Sequence, residues 1–195
     1  KQELIDQYAV DSKRIKKVGV PHFIERNDVI KKKDFILYTM SSIFIAPGEI
    51  DIVRMLSDWL SIHYPSIKLV VRLHPQNIEG PYKSEEVVKE LMELSETVPN
   101  LSISSPLLAS SDILWDFSNE DNYILDSLLS QARIVINSGS TITIEGLLKQ
   151  CIVIHTFFDG NKNYPFYESA TRISKYPHFE KIHKYRAYWN TYNFE

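Results

Sequence analysis

The chain holds a single cysteine, Cys151. That excludes an internal disulfide and a cysteine-rich metal site, and it fits a reducing compartment. No apolar run approaches the ~20 residues that span a bilayer, and no signal-peptide pattern is present. Internal repeats and low-complexity tracts are also lacking. The formal net charge of −3 over 195 residues gives no bulk reason to bind nucleic acid or anionic lipid. Any anion site must therefore be local. There is no D-x-D and no His/Cys cluster, so nothing visible requires a metal. A starting Met is lacking too: Lys1 stands first, as in a piece of a longer protein.

What is present is an ordinary globular composition, 44% hydrophobic and 24% charged, in a chain long enough for one domain with a sizeable core. Residues 1–17 read as a short amphipathic helix and a turn. "KKVGVPHF" (16–23) reads as a short strand ended by proline, and "ERNDVIKKKD" (25–34) as a charged connector. Then strands and helices alternate. Strands are expected at 35–42, 67–75, 101–104, 133–138 and 151–158, with helices at 50–64, 84–98, 119–132 and 141–150. The strands are near-continuously apolar, as strands buried on both faces must be, which predicts a doubly wound, Rossmann-like α/β domain around a parallel sheet. The expected division is 1–34 as the end of a preceding half and its linker, 35–178 as the α/β domain, and 179–195 as an aromatic-rich helix. Phe179, Ile182, Tyr185 and Trp189 of that helix fall on one stripe, which packs on the domain's own core or, in part, on a neighbouring domain.

Two polar junctions interrupt the apolar pattern. The first is "NSGSTITIEG" (137–146), between a strand and a helix. In a doubly wound sheet ligands bind where strands end and helices begin. A helix starting near Ser140 or Thr141 has unpartnered first amides and a positive dipole end. Gly139 lets backbone approach a ligand, and Ser138, Ser140 and Thr141 add hydroxyls. Together these can hold a phosphate without a lysine. Glu145 lies one turn on, about 6 Å along the axis. It is not a capping-box residue, because that position is Thr143, and it is placed either to accept from ribose hydroxyls or to face solvent. The loop is neither G-x-G-x-x-G nor a P-loop, so dinucleotide oxidoreductase and ATPase chemistry are poorly supported.

The second junction is "VVRLHPQN" (70–77), closing another strand at the same sheet edge. Arg72 and His74 share alternation parity and so point to one side. His74 can donate to a phosphate oxygen, and Arg72 is a further candidate cation.

"RLHP", the "SGS" loop, the Glu in the next helix and the apolar "CIVIHTFFD" strand together resemble the C-terminal half of GT-B-fold glycosyltransferases. The nearest branch holds bacterial capsule and surface-polysaccharide transferases, CDP-glycerol glycerophosphotransferases and UDP-N-acetylglucosamine 2-epimerases. "KQELIDQYAVDSKRIKKVGVPHF" is similar to the end of the N-terminal half in that group. The resemblance implies a donor-binding half with His74 on the donor phosphates, Ser138, Gly139, Ser140 and Thr141 as phosphate loop, and Glu145 on the ribose. It casts His74 and Glu145 as the candidate catalytic residues and sets Asp159 near the donor sugar. It implies a UDP-, CDP- or CMP-linked sugar as donor, no separate cofactor, and a glycan or lipid-linked acceptor held by an N-terminal half. The expected place is cytoplasmic, at the inner face of a membrane at most. The loop is less glycine-rich and less acidic than in the epimerases, and no basic pair faces the diphosphate. A polyol-phosphate transferase, an epimerase half and a non-catalytic nucleotide-binding or interaction module remain the alternatives.

Overall fold

A computed structural model of the chain describes residues 11–14, 16, 31–109, 117–176, 179 and 188–193. The strand expected at 16–23, most of the helix expected before it, Ile182 and Tyr185 lie outside these. Six strands form one sheet: β1 (Phe35–Thr39), β2 (Lys68–Arg72), β3 (Leu101–Ser104), β4 (Ile134–Asn137), β5 (Ile152–Thr156) and β6 (Trp189–Thr191). Their order is β3-β2-β1-β4-β5-β6, and every neighbouring pair is parallel. Helices α1 (Glu49–His63), α2 (Pro75–Ile78), α3 (Glu85–Thr97), α4 (Asn119–Gln131) and α5 (Ile142–Leu148) connect them. The doubly wound parallel fold expected from the sequence is the fold observed.

Successive strand residues point to opposite faces, and both faces are apolar. Ile36, Tyr38, Leu69, Val71 and Ile136 bury against Ile50, Val53 and Leu60 of α1 and Leu91 of α3. Leu37, Val135 and Val153 bury on the other side with Leu129 of α4, joined by Ile142 and Leu147 of α5. Burying one such side chain contributes about 1.5–3 kcal/mol. Helix starts follow local chemistry. Ser84 and Ser118 cap α3 and α4, accepting from the Val87 and Asp121 amides at 3.3 and 3.0 Å. Acidic first turns suit the dipole of both helices. In α5 the buried face is Thr143 and Gly146. Gly146 has Val153 and Val135 methyls at 3.2 and 3.6 Å from where a Cβ would stand, so this helix lies close on the sheet.

The tail departs from expectation. A helix over all of 179–195 is not what forms: Trp189–Thr191 are β6, on the open edge of β5. The Phe157 amide donates to Thr191 O at 2.9 Å, and Thr191 Oγ1 donates to His155 O at 2.9 Å. Unpaired edge groups of β5 and a β-favouring Trp-Asn-Thr run outweigh the helical spacing of aromatics. Trp189 is accordingly 71% exposed and off any core stripe, whereas Phe179 is buried with Ala46, Phe157, Ala170 and Ile173.

Candidate functional site

The sheet order reverses between β1 and β4, because the chain winds outward from β1 through β2 and β3, then outward again from β4. The crevice at such a switch point, beyond the strands' carboxyl ends, is where open α/β sheets take ligands. A cavity of about 1200 Å³ opens there. Thr39 at the end of β1 and residues 40–42 after it, His74 and Pro75 after β2, residues 139–145 after β4 and the start of α4 line it. Thus His74, Gly139, Ser140, Thr141 and Glu145, picked out in sequence, come together around one space.

The β4 loop is organised by a residue that sequence reasoning passed over. Asn137, fully buried, accepts from the Gly139 and Ser140 amides at 2.7 and 3.0 Å and from Thr143 Oγ1 at 3.3 Å. These two amides were expected to face a ligand; they turn onto the Asn137 carboxamide instead. The reason for Gly139 also changes. Its φ is +92°, and a Cβ there would lie 2.9 Å from Ile173 Cγ2 and 3.0 Å from Phe157 Cε1. The underlying cluster and the left-handed backbone demand the glycine, not the approach of a ligand. Ser138 is wholly buried, with its Oγ 2.5 Å from Ser41 Oγ, and does not line the cavity. Ser140, Thr141 and Glu145 remain on the cavity wall, Glu145 in the first turn of α5.

His74 caps α2 through Nδ1, which accepts from the Gln76 amide at 3.2 Å. That places its proton on Nε2. Burial pushes its pKa down to about 4, so near neutral pH it is an uncharged donor. Arg72 is not a cation offered to a ligand. Its Nη2 reaches both Asp121 carboxylate oxygens at 2.5 and 2.6 Å, and its Nη1 donates to Ser104 Oγ and Ser105 O at 3.0 and 2.8 Å. This buried fork ties β2, β3 and α4 together. Asp159 lies outside the cavity lining. Its carboxylate accepts from Ser169 Oγ and, at 2.7 Å, from the Ala170 amide, so it braces the start of the 3-10 turn Ala170–Lys175, whose N-cap is Ser169.

Beneath the cavity floor lies a second set that sequence patterns did not reveal. Glu49, in the first turn of α1, is 1% exposed and accepts from the Ser41 amide at 2.6 Å. Burial pushes its carboxyl up to about 7, against a hydrogen bond from Ser138 that favours the charged form. Asn77 staples the β1 loop to α2, accepting from the Ile43 amide at 2.9 Å and donating to Ser41 O at 3.0 Å. Only Ser41 and Ser42, at the end of the stretch read as a strand, hinted at this. Among the described residues, no group of three His, Cys, Asp or Glu is placed to hold a metal ion, and no helix is long and apolar enough to cross a membrane.

The described residues thus form a parallel α/β sheet with a cavity at its switch point. No family model matches the chain, and no curated protein matches it. Solved structures do. The chain is similar to the UDP co-structure of MnaA from S. aureus (16% identity, 77% of this chain and 32% of that one, TM-score 0.45). It is similar to E. coli heptosyltransferase WaaC with ADP (12%, 79% and 46%, TM-score 0.41). A third likeness is to the C-terminal domain of a glycosyl transferase group 1 family protein from Francisella tularensis (15%, 81% and 77%, TM-score 0.41). The chain thus spans about a third to a half of the first two proteins and most of the third.

Proposed function

We propose that this chain is the nucleotide-sugar donor-binding domain of a glycosyltransferase of bacterial surface polysaccharide synthesis, acting with an acceptor-binding half outside it. The observation that carries this reading is the meeting of His74, Ser140, Thr141 and Glu145 around one cavity at the switch point. His74 Nε2–H and the Ser140 and Thr141 hydroxyls face the diphosphate. Glu145, one helical turn away, accepts from the ribose hydroxyls. The leaving nucleotide is stabilised by these fixed neutral donors. The nucleotide-activated sugar is the substrate, and no further cofactor enters the reading.

Calorimetric titration with UDP, CDP, CMP and GDP tests it. Weak binding to at least one is expected, and His74→Ala and Glu145→Ala should each weaken it by roughly 1.5–3 kcal/mol with the melting temperature held. No heat from any of them at millimolar ligand would sink the reading.

A further inference from the structure

Two aromatic rings stand in the open at the rim of the cavity. Phe44, 59% exposed, and Tyr82, 40% exposed, stack with centroids 4.8 Å apart and planes 28° apart. Phe44 lies between Ser42 and Ile45, which line the cavity, and Tyr82 follows α2, whose first residue Pro75 lines it too. Single exposed aromatics need no explanation, but these two are paired and held in place.

Asn77, fully buried, fixes both loops at once. Its side chain accepts from the Ile43 amide at 2.9 Å and donates to Ser41 O at 3.0 Å, on the Phe44 side. Its main-chain carbonyl accepts from the Ser84 amide at 3.0 Å, on the Tyr82 side. The Phe44 loop is a single turn, closed by the Ile45 and Ala46 amides on Ser42 O at 2.8 and 3.0 Å. Arg172 Nη2 donates to Phe44 O at 3.4 Å. Rings fixed beforehand in this way lose little freedom when a ligand lies on them.

What the pair offers is flat, apolar and uncharged, edged by a phenol. Lys83, beside Tyr82, is already paired with Glu85 at 3.1 Å. A pyranose is the complement, since C–H groups line its face and hydroxyls lie round its edge. A nucleobase would also stack, but the proposed nucleoside end lies with Glu145 of α5, over the sheet face of Val135 and Val153. Phe44 leads into α1, on the opposite face. The donor's own sugar does not need the rings either. The cavity, about 1200 Å³, exceeds the ~300–1000 Å³ of an ordinary small-ligand site. A whole nucleotide sugar fits inside it, and neither ring belongs to its lining.

We propose that the Phe44–Tyr82 pair is a glycan-binding platform, on which a pyranose unit of the acceptor rests beside the donor cavity. The acceptor is then gripped in part by this chain and not by the other half alone. Its role as acceptor rests on the donor-binding reading above; the stacking of a glycan on the rings does not.

Cellotriose and chitotriose are the probes, because their equatorial substituents leave both faces of each ring to C–H groups. Saturation-transfer NMR on the whole chain, at millimolar saccharide and without nucleotide, should show transfer to at least one of them. It should be stronger on the protons of one ring face than on those of the other. Phe44→Ala and Tyr82→Ala should each weaken saccharide affinity by roughly three- to tenfold. Both side chains are largely exposed, so the melting temperature should hold. Transfer undiminished in both variants puts the saccharide elsewhere and overturns the platform; should one variant not fold, the other decides. No transfer to either saccharide from a wild type that binds a nucleotide also overturns it, and leaves the donor reading standing. Transfer from a wild type that binds no nucleotide keeps the platform and overturns the acceptor role together with the donor reading. Neither binding overturns both.

Discussion

Replacing Arg72 should unfold the domain before it touches ligand binding. The guanidinium meets both oxygens of Asp121 at 2.5 and 2.6 Å, with side-chain exposures of 6% and 2% for the pair. Asp121 also accepts from the Leu107 amide at 2.7 Å. Arg72→Ala leaves that carboxylate buried without its counter-charge and strips donors from Ser104 and Ser105. Breaking a buried pair from one side costs about 3–5 kcal/mol. For a domain of this size each kcal/mol moves the melting temperature by roughly 2–4 °C, so a fall of roughly 6–20 °C is expected. Replacing both partners by apolar residues, Arg72→Met with Asp121→Leu, should restore most of that, because no lone charge then remains. Thermal unfolding by circular dichroism, alongside nucleotide titration of each variant, decides. Arg72→Ala melting within about 2 °C of the wild type while losing nucleotide affinity would refute the structural role, and would return Arg72 to the phosphate site where its sequence position first set it.

Two further changes have directions fixed by the structure. Gly139→Val should lower stability by at least about 2 kcal/mol, since it adds backbone strain at φ +92° to a clash with Ile173 and Phe157; chemical denaturation measures it, and an unchanged midpoint would mean that the loop relaxes freely. Glu49 should tilt stability with pH. Its folded carboxyl is raised to about 7 from an ordinary 4.5, so its contribution is fully present below the lower value and is lost as pH rises through the upper one, about 3 kcal/mol in all. Urea unfolding across that window should show the decline, and Glu49→Gln should flatten it; a wild type that gains stability over the same window contradicts the sign.

The fold was legible because most of its strands, the short β3 "LSIS" excepted, had no polar alternation to confuse. A run such as "FILY", without a charged or small polar residue, has only a sheet covered on both sides as its home, and α3 and α4 carried their own serine caps. The site was legible where chemistry sat on a strand-to-helix junction, as with His74 and Glu145. It was hidden where partners lie far apart in sequence. Nothing local to Arg72 says that Asp121, 49 residues on, will occupy its guanidinium. Nothing in "SGS" says that Ser138 turns down to Ser41 while Ser140 turns out. The tail misled for another reason: helical spacing is a property of the segment alone, and the unpaired edge of β5 that recruits Trp189–Thr191 is a property of the sheet.

The placement of charge around the cavity leads to one more expectation. Of the basic side chains on its wall, Arg72 is bound to Asp121, and Lys149 Nζ lies 2.6 Å from Asp126. His74 is held neutral by burial. Glu145 adds a carboxylate to the same lining, and the two aspartates offset those two cations. Among the described residues, a nucleotide diphosphate bound as proposed would meet uncharged donors, the imidazole N–H and the hydroxyls, whose interactions act at contact range. Screening shortens the reach of free charges, from ~10 Å at 0.1 M salt to ~3 Å at 1 M, but it does little to a hydrogen bond inside a crevice. Nucleotide affinity measured across that range of sodium chloride should change by less than roughly threefold. A fall of tenfold or more would show that a cation closes on the phosphates, and the natural place for it would then be the acceptor-binding half that the proposed reaction requires.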